Sequence, residues 1–252
     1  MNIDMPELKQ IPALRQLWQE AFGDSEKFLD GFFAAADPLN HSRCVMDGTQ
    51  PVAVLYWFDC LWQEKKLAYL YAVATKKSLR GQGLCRALME NTHAYLKKQG
   101  YHGTILVPGS DALRTMYAAM GYQAATRIRN VSCQPGNRQT VLQKIQPDVY
   151  ASLRRQRLPA GGVLQEGHNL DFLKTWWELF AGEDFLLAAD ISDGVVTGEL
   201  LGNAEKAPEI VKALGCRKGN FRTPGDDTEF AMYHALNGEN GAFPAYFGLA
   251  FD

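Results

Sequence analysis

The residues best placed to do chemistry lie in one stretch, Val73 to Leu88. Arg80, Gly81, Gln82, Gly83, Leu84, Cys85 and Arg86 stand between two patterned runs. Leu67 to Val73 is rich in β-branched and aromatic residues and reads as a strand. After the glycines, Leu84, Leu88 and Tyr95 return near one helical face, and Gly100 is a natural stop. A strand that enters a glycine loop and leaves as a helix makes an anion cradle. The first-turn amides of the helix lack intrahelical partners, and the macrodipole favours negative charge there. Glycine lets the backbone approach a ligand with no Cβ in the way. Lys76, Lys77, Arg80 and Arg86 add positive charge around the same point.

The anion is not the one held by the commonest phosphate loops. A Walker loop ends in Gly-Lys-Ser/Thr, which is absent here. The dinucleotide fingerprint wants a third Gly or Ala where Arg86 stands, and an acid about 20 residues on, where the chain is apolar around Ile105 and Leu106. The histidines, His41, His93, His102, His168 and His234, show no ligand spacing, so no metal is expected. Tyr69, Tyr71 and Val73 share one face of their strand by the period-2 rule. That strand carries no carboxylate.

The elements that must position this loop follow in order. Residues 2 to 5 form a short strand. Ile11 to Phe22 is a helix with Leu14, Leu17, Trp18 and Phe22 on one side, and Asp24 or Ser25 caps a second helix bearing Phe28, Leu29, Phe32 and Phe33. A meander of three strands follows: Arg43 to Met46, Val52 to Asp59, and Leu67 to Val73. Beyond the loop and its helix, Thr104 to Val107 is a short buried strand. Ser110 caps a helix with Leu113, Met116, Tyr117 and Met120, stopped by Gly121. Strands near Gln123 to Cys133 and Gln139 to Ile145 complete the series.

The rest reads as a worn second copy of that plan. It comprises a connecting helix from Pro147, a strand near Val163, a helix from Leu170 to Phe180 and strands at Phe185 to Ala189 and Val195 to Leu201. A helix from Ala207 to Leu214 and strands near Asn220, Phe230 to Leu236 and Ala245 to Phe251 follow. It has no second cradle: the corresponding place reads Gly202, Asn203, Ala204, Glu205, Lys206. An unrelated α+β appendage is the competing description of these residues. The expected division is 1–146 and 147–252.

Bulk properties set the class. The chain has 252 residues, of which 46% are hydrophobic, enough for a substantial core. A net charge of -2 gives no global case for nucleic acid. No apolar run is long enough for a bilayer. The cysteines are odd in number and widely spaced, and Met1 opens a polar, acidic start, so a cytoplasmic setting without disulfides is expected.

Arg80-Gly81-Gln82-Gly83-Leu84-Cys85 resembles the pyrophosphate loop of the GCN5-related N-acetyltransferases, the GNAT family, whose signature is Gln/Arg-x-x-Gly-x-Gly/Ala. Cys85 stands where the family has Gly or Ala. The element order over about residues 2–145 is also that of the family. The resemblance implies an α/β fold with a mixed central sheet and flanking helices, here followed by a degenerate GNAT-like half. It implies transfer of an acetyl group from acetyl-CoA to a small-molecule or peptide amine, and leaves room for a homodimer. Cofactor contacts are then expected from Ala72, Val73, Arg80, Gly81, Gln82, Gly83, Leu84, Cys85 and Arg86. Tyr117, four residues before Gly121, occupies the position of the family's general-acid tyrosine. Tyr71 is expected to shape the acceptor pocket or hold a water for the base. The two-unit arrangement loosely resembles the enhanced intracellular survival group, which uses a C-terminal carboxylate as base, so Asp252 is a candidate. The rival readings are a non-catalytic acyl-CoA sensor and a different nucleotide-binding α/β protein.

Overall fold

The computed structural model describes residues 1–238 and 242–251. The first elements are β1 (Asn2–Asp4), α1 (Ile11–Phe22), α2 (Glu26–Ala35), β2 (Ser42–Asp47), β3 (Gln50–Trp62), β4 (Lys65–Thr75), α3 (Leu84–Lys98), β5 (Gly103–Leu106), α4 (Asp111–Ala118), β6 (Gln123–Ala124), β7 (Arg127–Cys133) and β8 (Gln143–Lys144). After α5 (Pro147–Arg157) come β9 (Leu164–Gln165), α6 (His168–Leu173), β10 (Glu178–Ala181), β11 (Phe185–Ser192), β12 (Val195–Gly202), α7 (Ala207–Ala213), β13 (Lys218–Pro224), β14 (Thr228–Glu229) and β15 (Met232–Ala235). The caps explain several starts. Ser25 accepts from the Phe28 amide at 3.2 Å, and Ser110 from the Leu113 amide at 3.3 Å. None of the described helices is long and apolar enough to cross a membrane.

Two sheets carry the chain. The first runs β1-β2-β3-β4-β5-β15-β6, with β9 added on β3, and the second runs β8-β10-β11-β12-β13-β7-β14. Strand for strand the two orders correspond. Each has one parallel step, β4 with β5 and β12 with β13, crossed by α3 and α7 respectively. Every other step on the two paths is antiparallel. The second half therefore repeats the strand order of the first rather than being an unrelated appendage.

The repeats are not contiguous in sequence. The strand beside β5 is β15, from near the chain's end, and the strand beside β13 is β7, from the first half. Each half lends the other a strand at the same place in the order. An apolar core lies between the sheets and draws on both halves, from Trp18, Phe58 and Tyr69 to Leu186, Leu201 and Phe251. A second core lies under α3 and α4, and a third under α7.

Two sequence expectations fail here. The helix expected over Leu170 to Phe180 stops at Leu173, because Glu178–Ala181 pairs with β11 and the sheet's pairing overrides local periodicity. The apolar run Ala245 to Phe251 forms no strand beyond a bridge from Gly162 to Tyr246. It is apolar because Tyr246, Phe247, Leu249, Ala250 and Phe251 are all buried. Its backbone is satisfied piecemeal instead: Gln165 Nε2 donates to Leu249 O at 2.6 Å and Arg222 Nη2 to Ala250 O at 3.1 Å.

One buried ion pair ties α5 to the second sheet. Arg154 donates from Nη2 to Glu199 Oε1 at 2.9 Å, from Nε to Oε2 at 3.0 Å, and from Nη1 to Val163 O at 3.0 Å. Both residues are fully buried. Removing one partner strands a charge in the interior. Arg154→Ala should lower the unfolding free energy by roughly 3–5 kcal/mol in urea titration, whereas the paired change to Met at 154 and Leu at 199 should recover most of it.

Candidate active site

The cradle is built as its glycines require. Gly81 and Gly83 have φ of 77° and 80°, the left-handed region that other residues enter at a cost. Among the described residues, the amides from Gly81 to Arg86 donate to no backbone acceptor; the Ala87 amide is the first to bond, to Gly83 O at 3.0 Å. This run of open donors sits at the positive end of the fifteen-residue α3. Arg80 folds back, Nε donating to Thr75 O at 3.0 Å, and Glu20 of α1 accepts from the Lys77 amide. Arg86 reaches the end of α4, where Nη1 donates to Ala119 O at 3.2 Å.

Upstream, β4 is bent out of its own ladder. Tyr71 faces Tyr56 and Ala74 faces Val54, so Ala72 and Val73 together oppose Leu55. This is a β-bulge, with Ala72 at φ 48°. It corrects the expected alternation: Tyr69 and Tyr71 belong to the core between the sheets, but Val73 packs with the core under α3. Pairing between β4 and β5 covers Leu67 to Tyr69 only, so the two strands diverge past Tyr69 and Ile105.

A cleft opens where they part. Its first chamber, about 560 Å³, is lined by Val73, Arg80, Gly81, Gly83, Leu84, Cys85 and Arg86 on the loop side and by Met116, Tyr117 and Met120 of α4 and its C-terminal turn. The second, about 460 Å³, is lined by Tyr69 to Val73, by Leu106 and Val107 past the divergence, and by aromatic rings from α1, α2 and beyond α6. Phe22, Val73, Leu113 and Tyr117 line both. Tyr117 thus stands where the chambers meet. It is 6% exposed, and burial pushes its phenol pKa well up, so it holds its proton across the neutral range.

Most of the sequence candidates converge here. Gln82 does not line either chamber, although its amide is part of the open run. Ala72 lines the second chamber rather than the first. Cys85 lines the first, and burial raises its thiol pKa, so it is no thiolate nucleophile. Tyr71 lines the second chamber, its ring 5.8 Å from Trp18 and 5.6 Å from Phe251. Asp252 lies outside the described residues. Its neighbour Phe251 is a wall of the second chamber, with its amide donating to Tyr69 Oη at 3.3 Å. His234 faces away: its Nδ1 lies 3.0 Å from Gly121 O and its ring stacks on His93. Among the other aromatic side chains, Phe28 and Trp176 line the second chamber, while Trp57, Trp62 and Trp177 are core.

One carboxylate was not singled out for chemistry by the sequence. Asp24, in the turn between α1 and α2, lines the second chamber and accepts from Trp18 Nε1 at 2.7 Å. In sequence it reads as a helix cap, but Ser25 takes that role.

Residues 3–125 match the family model described as the acetyltransferase (GNAT) domain. The first half of the chain is therefore similar to a GNAT domain. The likeness in fold to solved structures runs further than that match. The GCN5-related N-acetyltransferase of Anabaena variabilis superposes with a TM-score of 0.72 at 15% identity, over 94% of this chain and 73% of that one. The enzyme of the same description from Kribbella flavida gives 0.70 at 15% identity, over 94% and 72%. Eis1 from Mycobacterium abscessus gives 0.67 at 11% identity, over 94% and 74%. All three extend through both sheets, so the two-unit GNAT arrangement is shared. No curated protein matches the chain by sequence.

The GNAT loop gives a direct test. A β-branched residue at Gly83, held at φ 80°, is strained by about 1–2 kcal/mol. Gly83→Val should lower the unfolding free energy by about 1–2 kcal/mol in urea titration, the cost of that strain.

Proposed function

We propose that this protein transfers an acetyl group from acetyl-CoA to a primary amine by direct attack in a ternary complex. The observation that carries the reading is the meeting of two chambers at Tyr117, one ending in the open amides of Gly81 to Arg86 and the other ringed by aromatic side chains. The run of unpaired donors at the α3 N-terminus, with Arg80 and Arg86 beside it, fits a diphosphate. The diverging edges of β4 and β5 leave backbone amides and carbonyls to pair with the amide-bearing pantetheine arm as a strand would.

The chain's residues then divide the work. The backbone of Ala72 and Val73, displaced by the bulge, supplies the donor for the thioester oxygen as it gains negative charge. The amine nitrogen, once deprotonated, bonds to the carbonyl carbon, and the carbon–sulfur bond breaks. Tyr117 gives its proton to the departing thiolate. The proton from the amine passes to a carboxylate or a water at the Tyr71 side of the chamber, and Asp252, next to Phe251, is the carboxylate we assign. In this reading the acceptor is a small molecule or a peptide, met in the cytoplasm.

Tyr117→Phe should lower kcat by about 100-fold or more while leaving acetyl-CoA affinity within about threefold, measured by thiol release and by calorimetry. The non-catalytic sensor reading predicts the opposite pattern: the wild type binds acetyl-CoA and no amine in a broad panel releases thiol.

A further inference from the structure

The second chamber has a composition that selects among amines. Its walls come from five separate parts of the chain: Trp18 of α1, Phe28 of α2, Tyr71 of β4, Trp176 beyond α6, and Phe251 near the chain's end. These rings pack on one another. Phe28 lies 5.7 Å from Trp176, Trp18 lies 6.3 Å from Phe28, and Tyr71 lies 5.6 Å from Phe251. Asp24 supplies a carboxylate to the lining, and no lysine, arginine or histidine joins it among the described residues. The Asp24 side chain is itself held: its Oδ2 accepts from Trp18 Nε1, so the carboxylate is fixed against a ring that forms the wall. Phe22 and Leu113 at the lip are 47% and 38% exposed, unusually high for large apolar side chains, so the entrance is apolar as well.

We infer that the acceptor is an amine carried on a flat aromatic body, with Asp24 as its specificity-determining residue. This deepens, and rests on, the acetyl-transfer reading above. An amine in water is mostly an ammonium ion, and the Asp24 carboxylate attracts that charge. Stacked rings favour a planar apolar body, and their faces attract a cation. An extended polyamine or a lysine side chain brings no planar face to these rings, so it gains the charge contact without the stacking. Asp24 acts through charge on the bound acceptor, so it governs capture rather than the chemical step.

The test uses the whole chain with acetyl-CoA and four probes: phenethylamine, tryptamine, spermidine and a short lysine peptide, followed by thiol release. The expected result is a kcat/KM for phenethylamine or tryptamine at least about tenfold above those for spermidine and the peptide. Asp24→Asn should raise the KM of the aromatic amines about tenfold and leave kcat within about threefold, and Asp24→Glu should restore much of the loss. Trp176→Ala should narrow the preference between the aromatic amines and spermidine. Equal or better turnover of spermidine or the peptide overturns the inference while leaving acetyl transfer intact. A fall in kcat with unchanged KM in Asp24→Asn overturns the capture role. Absence of acetyl-CoA binding, read separately by calorimetry, overturns the acetyl-transfer reading and this inference with it.

Discussion

The site depends on a break in strand pairing. β4 and β5 are hydrogen-bonded for only three residues on each strand, Leu67 to Tyr69 against Gly103 to Ile105. Past that point the bulge at Ala72 turns β4 aside, and unpaired edges face each other across a gap. An open strand edge inside a protein is unfavourable unless something pairs with it. Both chambers and Tyr117 gather around this gap. Ala72 in the left-handed region adds strain of order 1 kcal/mol, which the surrounding ladder with β3 holds in place.

Comparison with the second repeat shows what the break contributes. β11 and β12 pair without any shift of register, so that unit has no bulge. The segment after β12 is also short: Asn203 accepts from the Glu205 amide through its own side chain, and Pro208 sits in the first turn of α7. No run of open amides survives there. In the second repeat the pairing of β12 with β13 also ends, at Glu199 and Arg222, and there Glu199 is held by Arg154, with Tyr150 donating to the same carboxylate at 3.3 Å. One repeat retains the means to hold a ligand, and the other provides a wall and a scaffold.

The exchange of β7 and β15 makes the two repeats one unit. Each sheet obtains the strand beside its parallel pair from the other half of the chain. The exchange also sends the end of the chain back across the cleft, which is how Phe251 comes to lie against Tyr69, Tyr71 and Phe172. The second chamber is thus a product of both repeats, although the loop of Gly81 and Gly83 belongs to one.

What the sequence determined by itself was local. The φ demands of Gly81 and Gly83, the caps at Ser25 and Ser110, and the apolar periodicity of α1, α3 and α4 each act over a few residues, and all were legible. The loop signature with the element order was enough to indicate the GNAT fold and to single out Tyr117. Only the tertiary structure decided the rest. The bulge at Ala72 is invisible because alternation in Leu67 to Val73 continues through it in sequence, and only the register against β3 shows the extra residue. Nothing local distinguishes β15 as a partner for β5 from a strand that stays with its own half, since any strand edge offers the same donors and acceptors. Asp24, Trp176 and Phe251 carry no shared spacing. They meet because burial of the core between the sheets, which is non-directional and depends on the whole chain, brings their separate segments to one cleft.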